Sequence, residues 1–290
     1  MIFRDAEKAR NAITLEQRRE IHDLYVDWAD EINDFANRYP EKTTKAMNPA
    51  LVALAYAGLQ KMLDQSGDRI AGQVEGIVLK NMYRMSETVA TAHVKWMVSV
   101  GYSETVVKTG MSFAPEAIVQ RVATGKIYDS NWNLSSAIWG DNEQTHRQIR
   151  EIIAGGMKEG KPIHEISKDL ERYVNPDKAK PWNLRNAQGR KIYPRDVDYN
   201  AQRLARTQVQ HAYWQSVIEA ARNNKHAIGI RWNANGPRVC PICMGRDGQI
   251  FAKDELPLDH PNGMCVWEPV LVDNWLEKLV DMPIDRLLDR

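Results

Sequence analysis

The three cysteines of this chain lie close together near its C-terminal end, and together with one histidine they constrain the local fold more than any other feature. Cys240 and Cys243 are separated by only two residues, so both thiolates can hold one metal ion from a tight turn. His260 and Cys265 follow in the same stretch. Thiolate and imidazole ligands favour zinc, and four of them close a tetrahedral shell. We therefore predict a zinc site with Cys240, Cys243, His260 and Cys265 as ligands.

A zinc with four protein ligands has no position for water and would hold structure without catalysing a reaction. Two other interpretations of the cysteines remain open. In one, the cysteines are buried core residues beside an ordinary histidine; in the other, Cys240 and Cys243 form a redox pair. A redox pair typically begins a helix that follows a strand. This pair lies between two turn signals, Asn235-Gly236 and Asp247-Gly248, which disfavours the redox interpretation.

Apolar residues at helical spacing predict that most of the chain before the cysteines is α-helical. Thr14 and Gln17 form a capping box that predicts the start of the first long helix. Ser66-Gly67 predicts a break between a helix over 49–63 and another over 69–100. Further helices are expected over 115–122, 142–157, 163–174 and 196–223, with a loop over 175–194. The two longest apolar stripes are Ile21, Leu24, Tyr25, Trp28, Ile32 and Phe35, and Ile70, Val74, Ile77, Val78, Met82, Met85 and Val89.

The periodicity changes after Asn223. Ile228, Ile230 and Trp232 are apolar residues at alternate positions, which predicts a β-strand. Residues 249–252 and 265–272 are predicted to return as further strands, and residues 273–288 form a last amphipathic helix. The predicted fold class is therefore mainly α with a small β-rich C-terminal part (α+β), which ends in a small antiparallel sheet beside the zinc site.

The charge balance limits the classes of partner. The chain has 39 basic and 38 acidic residues, a formal net charge of +1. This balance argues against a dominant electrostatic partner such as bulk DNA or an anionic membrane. We see no secretory signal and no apolar run long enough to span a bilayer. An odd number of cysteines fits a reducing compartment, so we expect a soluble protein made in a cytoplasm.

Basic residues suggest two further local functions. Arg203, Arg206 and Thr207 lie within about one turn of one predicted helix. An arginine beside an apolar helix face often clamps carboxylates or backbone carbonyls through paired hydrogen bonds. The alternative is phosphate contact with DNA. We favour the structural clamp because the chain has no basic excess. A basic cluster in the predicted loop (Arg185, Arg190, Lys191 and Arg195) leaves DNA binding open as a separate hypothesis.

Several short motifs follow one another in a fixed order between about residues 130 and 272. They are Leu134-Ser-Ser-Ala-Ile-Trp139, the run 149–170 with its Gly-Lys-Pro break, Leu204-Ala-Arg-Thr-Gln208 with Ala212, Arg231-Trp232, Arg238-Val-Cys-Pro-Ile-Cys243, Asp247-Gly-Gln249, His260-Pro-Asn262, Cys265 and Glu268-Pro-Val270. With these motifs the segment resembles the Mu F-type phage head morphogenesis proteins, also called minor head or minor capsid proteins. The family commonly has glutamate where this chain has Gln208, and a further cysteine where it has Gly263. Only four candidate ligands therefore remain here.

The resemblance implies a non-enzymatic virion protein that acts in head morphogenesis. Such a protein is expected at the portal vertex or in the capsid interior, with portal, major capsid or scaffold proteins as partners and a role in DNA packaging or delivery. The implied domains are a helical N-terminal region (1–125), a Mu F-like module (126–272) and a C-terminal helix (273–290). An alternative is a zinc-containing nuclease, because Asp259-His260-Pro261-Asn262 loosely resembles His-Asn-His nucleases. No second Asn/His set follows at a useful spacing.

Overall fold

The structure is a computed structural model that describes residues 4–40, 49–178, 197–236 and 239–272. In this part of the chain, eight helices and a three-stranded antiparallel sheet confirm the predicted mainly α fold with a small β-rich C-terminal part. None of the described helices is both long and apolar enough to cross a membrane. The helices are α1 (Arg4–Ala36), α2 (Pro49–Ser99), α3 (Glu104–Gly110), α4 (Pro115–Ala123), α5 (Leu134–Glu159), α6 (Ile163–Val174), α7 (Val197–Asn223) and α8 (Pro241–Arg246), and the strands are β1 (Ala227–Asn233), β2 (Ile250–Phe251) and β3 (Val266–Leu271).

Helix α1 begins at Arg4, so the predicted start at the Thr14 capping box is wrong. Ala6, Arg10, Ile13 and Gln17 are all buried. Their spacing of three or four residues places them on one helix face. The buried face therefore continues from the Ile21 stripe back through Thr14, and a helix interior replaces the predicted cap.

Helix α2 runs without interruption through Ser66-Gly67, where a break was predicted. The Ser66 hydroxyl donates to the Met62 carbonyl at 2.8 Å and to a Glu31 carboxylate oxygen at 3.1 Å, so this polar side chain is satisfied inside the helix. A Cβ on Gly67 would lie 2.3 Å from His146 Nε2. The glycine is required by this close approach of the imidazole, and it does not end the helix.

Helix α5 begins at Leu134, earlier than the predicted start at residue 142. The Asn133 side chain caps it by accepting a hydrogen bond from the Ser136 N–H at 2.8 Å. The helix passes through Gly156, whose missing Cβ leaves room for Ile166 of α6, and it ends at Gly160 with a positive φ of 72°. The glycine that ends this helix is therefore the one in the left-handed conformation.

The sheet has the strand order β2-β1-β3, with β1 antiparallel to both neighbours. In this register Trp232 lies opposite Trp267, and Ile230 lies opposite both Phe251 and Pro269. These residues share one face because side chains alternate across a strand. The three predicted strands are confirmed, although β2 is shorter than expected. Helix α8 lies between β1 and β2 in the chain and was not predicted.

The chain forms two compact units, each assembled from separate stretches. The sheet unit takes Met1–Thr14, Leu79–Asp129 and Arg206–Arg290, and the helical unit takes Leu15–Val78 and Ser130–Ala205. The predicted boundary at 125/126 divides the chain differently, because α1, α2 and α7 each contribute residues to both units. The predicted C-terminal helix over 273–290 and the basic cluster at 185–195 lie outside the described residues.

The core of the sheet unit packs α7 and the end of α2 with the inner face of the sheet. Trp267 contacts both Tyr213 and Trp232, with ring centroids 5.5 Å apart in each pair. Such aromatic pairs stabilise a core beyond the area they bury. Cys243 and Cys265 belong to the same buried cluster, so the candidate ligands are attached directly to this core.

Candidate metal centre

The four predicted ligands line one cavity of about 190 Å³ in the sheet unit. Cys240 is the N-cap of α8, and its Sγ accepts the Cys243 N–H at 3.3 Å. Cys240, Cys243 and His260 form one group whose donor atoms all lie within 4.8 Å of one another. Cys265 joins Cys243 and Asp259 in a second group that meets the same limit. Cys243 is therefore common to both groups.

Three of the four donors have a spacing close to that of a tetrahedral zinc site. Zn–S bonds of about 2.3 Å and Zn–N bonds of about 2.0 Å place neighbouring donors roughly 3.5 to 3.8 Å apart. The distance from Cys240 Sγ to His260 Nε2 is 3.4 Å. The donor atoms of Cys240, Cys243 and His260, all within 4.8 Å of one another, need to move closer by about 1 Å to reach this spacing. Cys265 lies within 4.8 Å of Cys243 but does not share one group with Cys240 and His260, so it has to approach at least one of them to close the shell. The residue types suit zinc, and three of the four donors are spaced for it.

The orientation of the His260 ring suits a metal ligand. Its Nδ1 lies 3.0 Å from the Pro261 carbonyl oxygen. Because a carbonyl only accepts hydrogen bonds, Nδ1 carries the proton of this contact. Nε2 is then directed to Cys240. A backbone carbonyl on the second ring nitrogen is one of the common ways in which proteins orient a metal-binding histidine.

The three thiols differ in their acidity. Hydrogen bonding from the Cys243 backbone is the main cause that lowers the pKa of Cys240. Burial raises the pKa of Cys243 and, together with the nearby Asp259 carboxylate, the pKa of Cys265. The two buried thiols are therefore protonated without a cation, and a metal would have to displace their protons on binding.

The position of Cys240 corrects one argument made from the sequence. The pair was expected to lie between turns, and this was the reason for disfavouring a redox function. The structure places Cys240 at the start of a helix, although α8 has only six residues. The position of the cysteine pair at a helix start therefore no longer distinguishes a redox pair from a metal site. The metal site is favoured because His260 and Cys265 line the same cavity as the pair.

Asp259 belongs to this site and was missed as a partner of the cysteines. It is only 2% exposed. Its Oδ2 accepts a hydrogen bond from Gln210 Nε2 at 2.9 Å, and its Oδ1 accepts the His260 N–H at 2.9 Å. Both carboxylate oxygens are thus engaged beside the thiols. Its position directly before His260 was the only sequence signal, and Gln210, far away in the chain, had none.

Arg206 and Thr207 contact the turn that joins His260 to Cys265. Arg206 Nε donates to Asn262 Oδ1 at 2.9 Å, and the Asn262 N–H donates to Thr207 Oγ1 at 3.2 Å. Asn262 has a positive φ of 62°, a conformation that asparagine tolerates better than most residues. Arg203 lies in the helical unit, where its charge opposes the rise in the pKa of Asp141 that burial causes. The structure therefore brings two of these three predicted residues to the candidate site.

Gln208, which stands where the family commonly has glutamate, also lies beside the site. Its Nε2 donates to the Tyr128 hydroxyl at 3.1 Å, and that hydroxyl lies 2.6 Å from His211 Nδ1. His211 Nε2 lies 3.1 Å from the Asp259 carbonyl oxygen, which can only accept. Nε2 therefore carries the ring proton, and Nδ1 accepts a hydrogen bond from the Tyr128 hydroxyl. This chain of hydrogen bonds ends on the backbone next to His260.

We expect the double-mutant cycle of Arg206→Gln and Asn262→Gly to show a coupling energy of about 1 kcal/mol, the usual contribution of one side-chain hydrogen bond. Glycine is the suitable replacement because it accepts the positive φ. Urea unfolding of the two single variants and the double variant measures the coupling. Arg203→Gln in the same helix is the matched control and should show no coupling with Asn262→Gly. A coupling near zero for Arg206 would contradict the contact.

Residues 147–266 match the family model described as phage Mu protein F like protein. This segment runs from within α5 to the first residue of β3 and includes all four candidate ligands. No curated protein and no solved structure matches the chain. The chain thus carries a phage Mu F-like segment, and the resemblance to the Mu F-type head morphogenesis proteins is confirmed over these residues.

Proposed function

We propose that this chain is a non-enzymatic minor head protein that acts in phage head morphogenesis at the portal vertex, inside the procapsid. The observation that carries the proposal is the Mu F-like match, because that segment also holds the four candidate ligands. The match supports a phage head protein that interacts with other capsid components. Portal, major capsid or scaffold proteins are the proposed partners, with packaged DNA as a further contact during packaging or delivery.

In this proposal zinc is a structural cofactor. The sheet has three strands, one of them only two residues long, and a sheet of this size has little stability of its own. Structural zinc can supply about 10 kcal/mol or more of local folding free energy. Cys240, Cys243, His260 and Cys265 would hold the ion, and a closed shell of four protein ligands would keep water from it.

The nuclease alternative requires His260 to act as a general base. Its Nε2 lies 3.4 Å from Cys240 Sγ, and its Nδ1 lies against the Pro261 carbonyl. Nδ1 donates to that carbonyl, and Nε2 would have to leave its contact with Cys240 to take a proton from water. This geometry supports the structural proposal over hydrolysis. Metal-dependent cleavage of plasmid DNA that is lost in His260→Ala would reverse this preference.

We expect the full chain to co-sediment with procapsids that contain the portal protein and to be absent, or reduced at least about tenfold, from procapsids assembled without it. A tenfold change corresponds to roughly 1.4 kcal/mol of binding free energy. Quantitative immunoblotting of gradient fractions measures the association. Both particle types are made with the same major capsid and scaffold proteins, so they are matched controls. Equal amounts in the two particles would refute the portal assignment, and absence from both would refute the head-protein proposal.

A further inference from the structure

The sheet unit buries an arginine from the first turns of α1. Arg10 is only 3% exposed, and burial lowers the pKa of its guanidinium. A buried guanidinium is costly unless its donors are satisfied. Arg10 NH1 lies 3.1 Å from each of three acceptors, which are Gln210 Oε1 and the carbonyl oxygens of Met264 and Cys265. Two of these acceptors belong to the backbone at the predicted fourth ligand.

Gln210 extends this contact to the other end of the same loop. While its Oε1 accepts from Arg10, its Nε2 donates to the Cys265 carbonyl at 2.8 Å and to Asp259 Oδ2 at 2.9 Å. The other Asp259 oxygen accepts the His260 N–H. Arg10 and Gln210 therefore hold both ends of residues 259–265, the loop that carries His260 and Cys265.

The charge of Arg10 also suits this position. Three thiolates and a neutral imidazole around Zn²⁺ carry a net negative charge, and Asp259 adds another beside them. The Arg10 guanidinium lies against the backbone of Cys265, so its charge partly offsets that negative charge.

We propose that Arg10 is a positioning residue of the metal centre, so that the start of α1 is part of the metal-binding unit although the Mu F-like match begins only at residue 147. This inference rests on the proposed zinc centre. Arg10 holds the loop that presents His260 and Cys265 to the ion, and it touches no metal itself. The Mu F-like segment therefore lacks one of the residues that its own metal site uses.

The test compares the zinc affinity of the purified full chain with that of Arg10→Gln, Arg10→Lys and Lys8→Gln. Lys8 is exposed on the same helix and is the matched control. Loss of an outer contact of a metal site commonly weakens metal affinity about 10- to 100-fold. We expect the zinc dissociation constant, measured by competition with a chromogenic chelator, to rise by about this factor in Arg10→Gln, to be intermediate in Arg10→Lys, and to be unchanged in Lys8→Gln. The charge-transfer band of the Co(II)-substituted protein should shift in Arg10→Gln.

A second measurement separates positioning from a general contribution to folding. The melting temperature of each variant is measured with zinc and after chelation. If Arg10 positions the ligands, the gain from zinc shrinks in Arg10→Gln; if Arg10 only packs, both melting temperatures fall equally, and the inference is overturned. Arg10→Lys supplies the same comparison if Arg10→Gln does not fold. If the wild type binds zinc and Arg10→Gln behaves like Lys8→Gln, this inference alone is overturned. If the wild type binds no zinc, the zinc centre and the inference are overturned together.

Discussion

Replacement of Cys243 by serine should abolish metal binding and unfold the β-rich part of the sheet unit. Cys243 is the donor that both groups share, and it is only 1% exposed within the core. A serine hydroxyl is a poor zinc ligand and leaves a buried polar group in place of the thiol. Loss of the metal would remove about 10 kcal/mol or more of folding free energy, comparable with the whole stability of a typical domain.

Two quantities are measured: the zinc content per chain and the thermal unfolding of the sheet unit. The unfolding is monitored by the near-ultraviolet circular dichroism of the buried tryptophans in this unit. Met244→Ser is the matched control, because Met244 follows Cys243 on α8 and is 64% exposed. It should retain zinc and melt like the wild type. If the wild-type protein is equally stable with and without zinc, the cysteines are ordinary core residues and the structural role of the metal is refuted.

Replacement of Gly263 by alanine should destabilise the chain by about 2 to 4 kcal/mol, the sum of overpacking and a disturbed buried hydrogen bond. The added Cβ would lie 2.0 Å from Asp259 Oδ2. That carboxylate cannot move freely, since Gln210 and the His260 N–H hold it. The alanine must therefore displace either Asp259 or the loop that carries His260 and Cys265.

Gly245→Ala is the control for this prediction. Gly245 lies in α8 with no atom within 4 Å of an added Cβ, so alanine there should be neutral or stabilising by up to about 1 kcal/mol. Urea unfolding and zinc content measure both variants. The double variant Gly263→Ala/Asp259→Ala should be less destabilised than the sum of its single variants, because the clash partner is gone. Equal stability of Gly263→Ala and Gly245→Ala would contradict the predicted clash.

Sequence patterns failed at places where a distant residue changes the meaning of a local signal. Ser66-Gly67 has the composition of a helix break, yet His146 packs on the glycine and Glu31 accepts from the serine. Thr14 has the residue type of a helix cap, but the buried face of α1 continues through it. Propensity describes a segment by itself, and tertiary packing overrides it where a partner fills the space or satisfies the polar group.

At the candidate site, too, local sequence signals identified some residues, and the tertiary structure decided the position of others. The four predicted donors could be chosen from the sequence because residue type and short spacing limit which side chains can share a metal. Arg206 and Thr207 contact the turn at Asn262, whereas Arg203 interacts with Asp141. The difference arises because the two parts of α7 belong to different units. No local pattern reports this, since the three residues occupy similar positions on one helix.

The sequence by itself determined the mainly helical fold with its small β-rich end, the four candidate donors and the Mu F-like segment, because periodicity, residue type and short spacing are local properties. Only the tertiary structure decided that Arg10, Gln210 and Asp259 meet beside the candidate metal site. The hydrogen bond from Arg10 to Cys265 joins residues 255 positions apart. Contacts of that separation arise when helices and sheet bury a common core, which places polar groups where they must find partners.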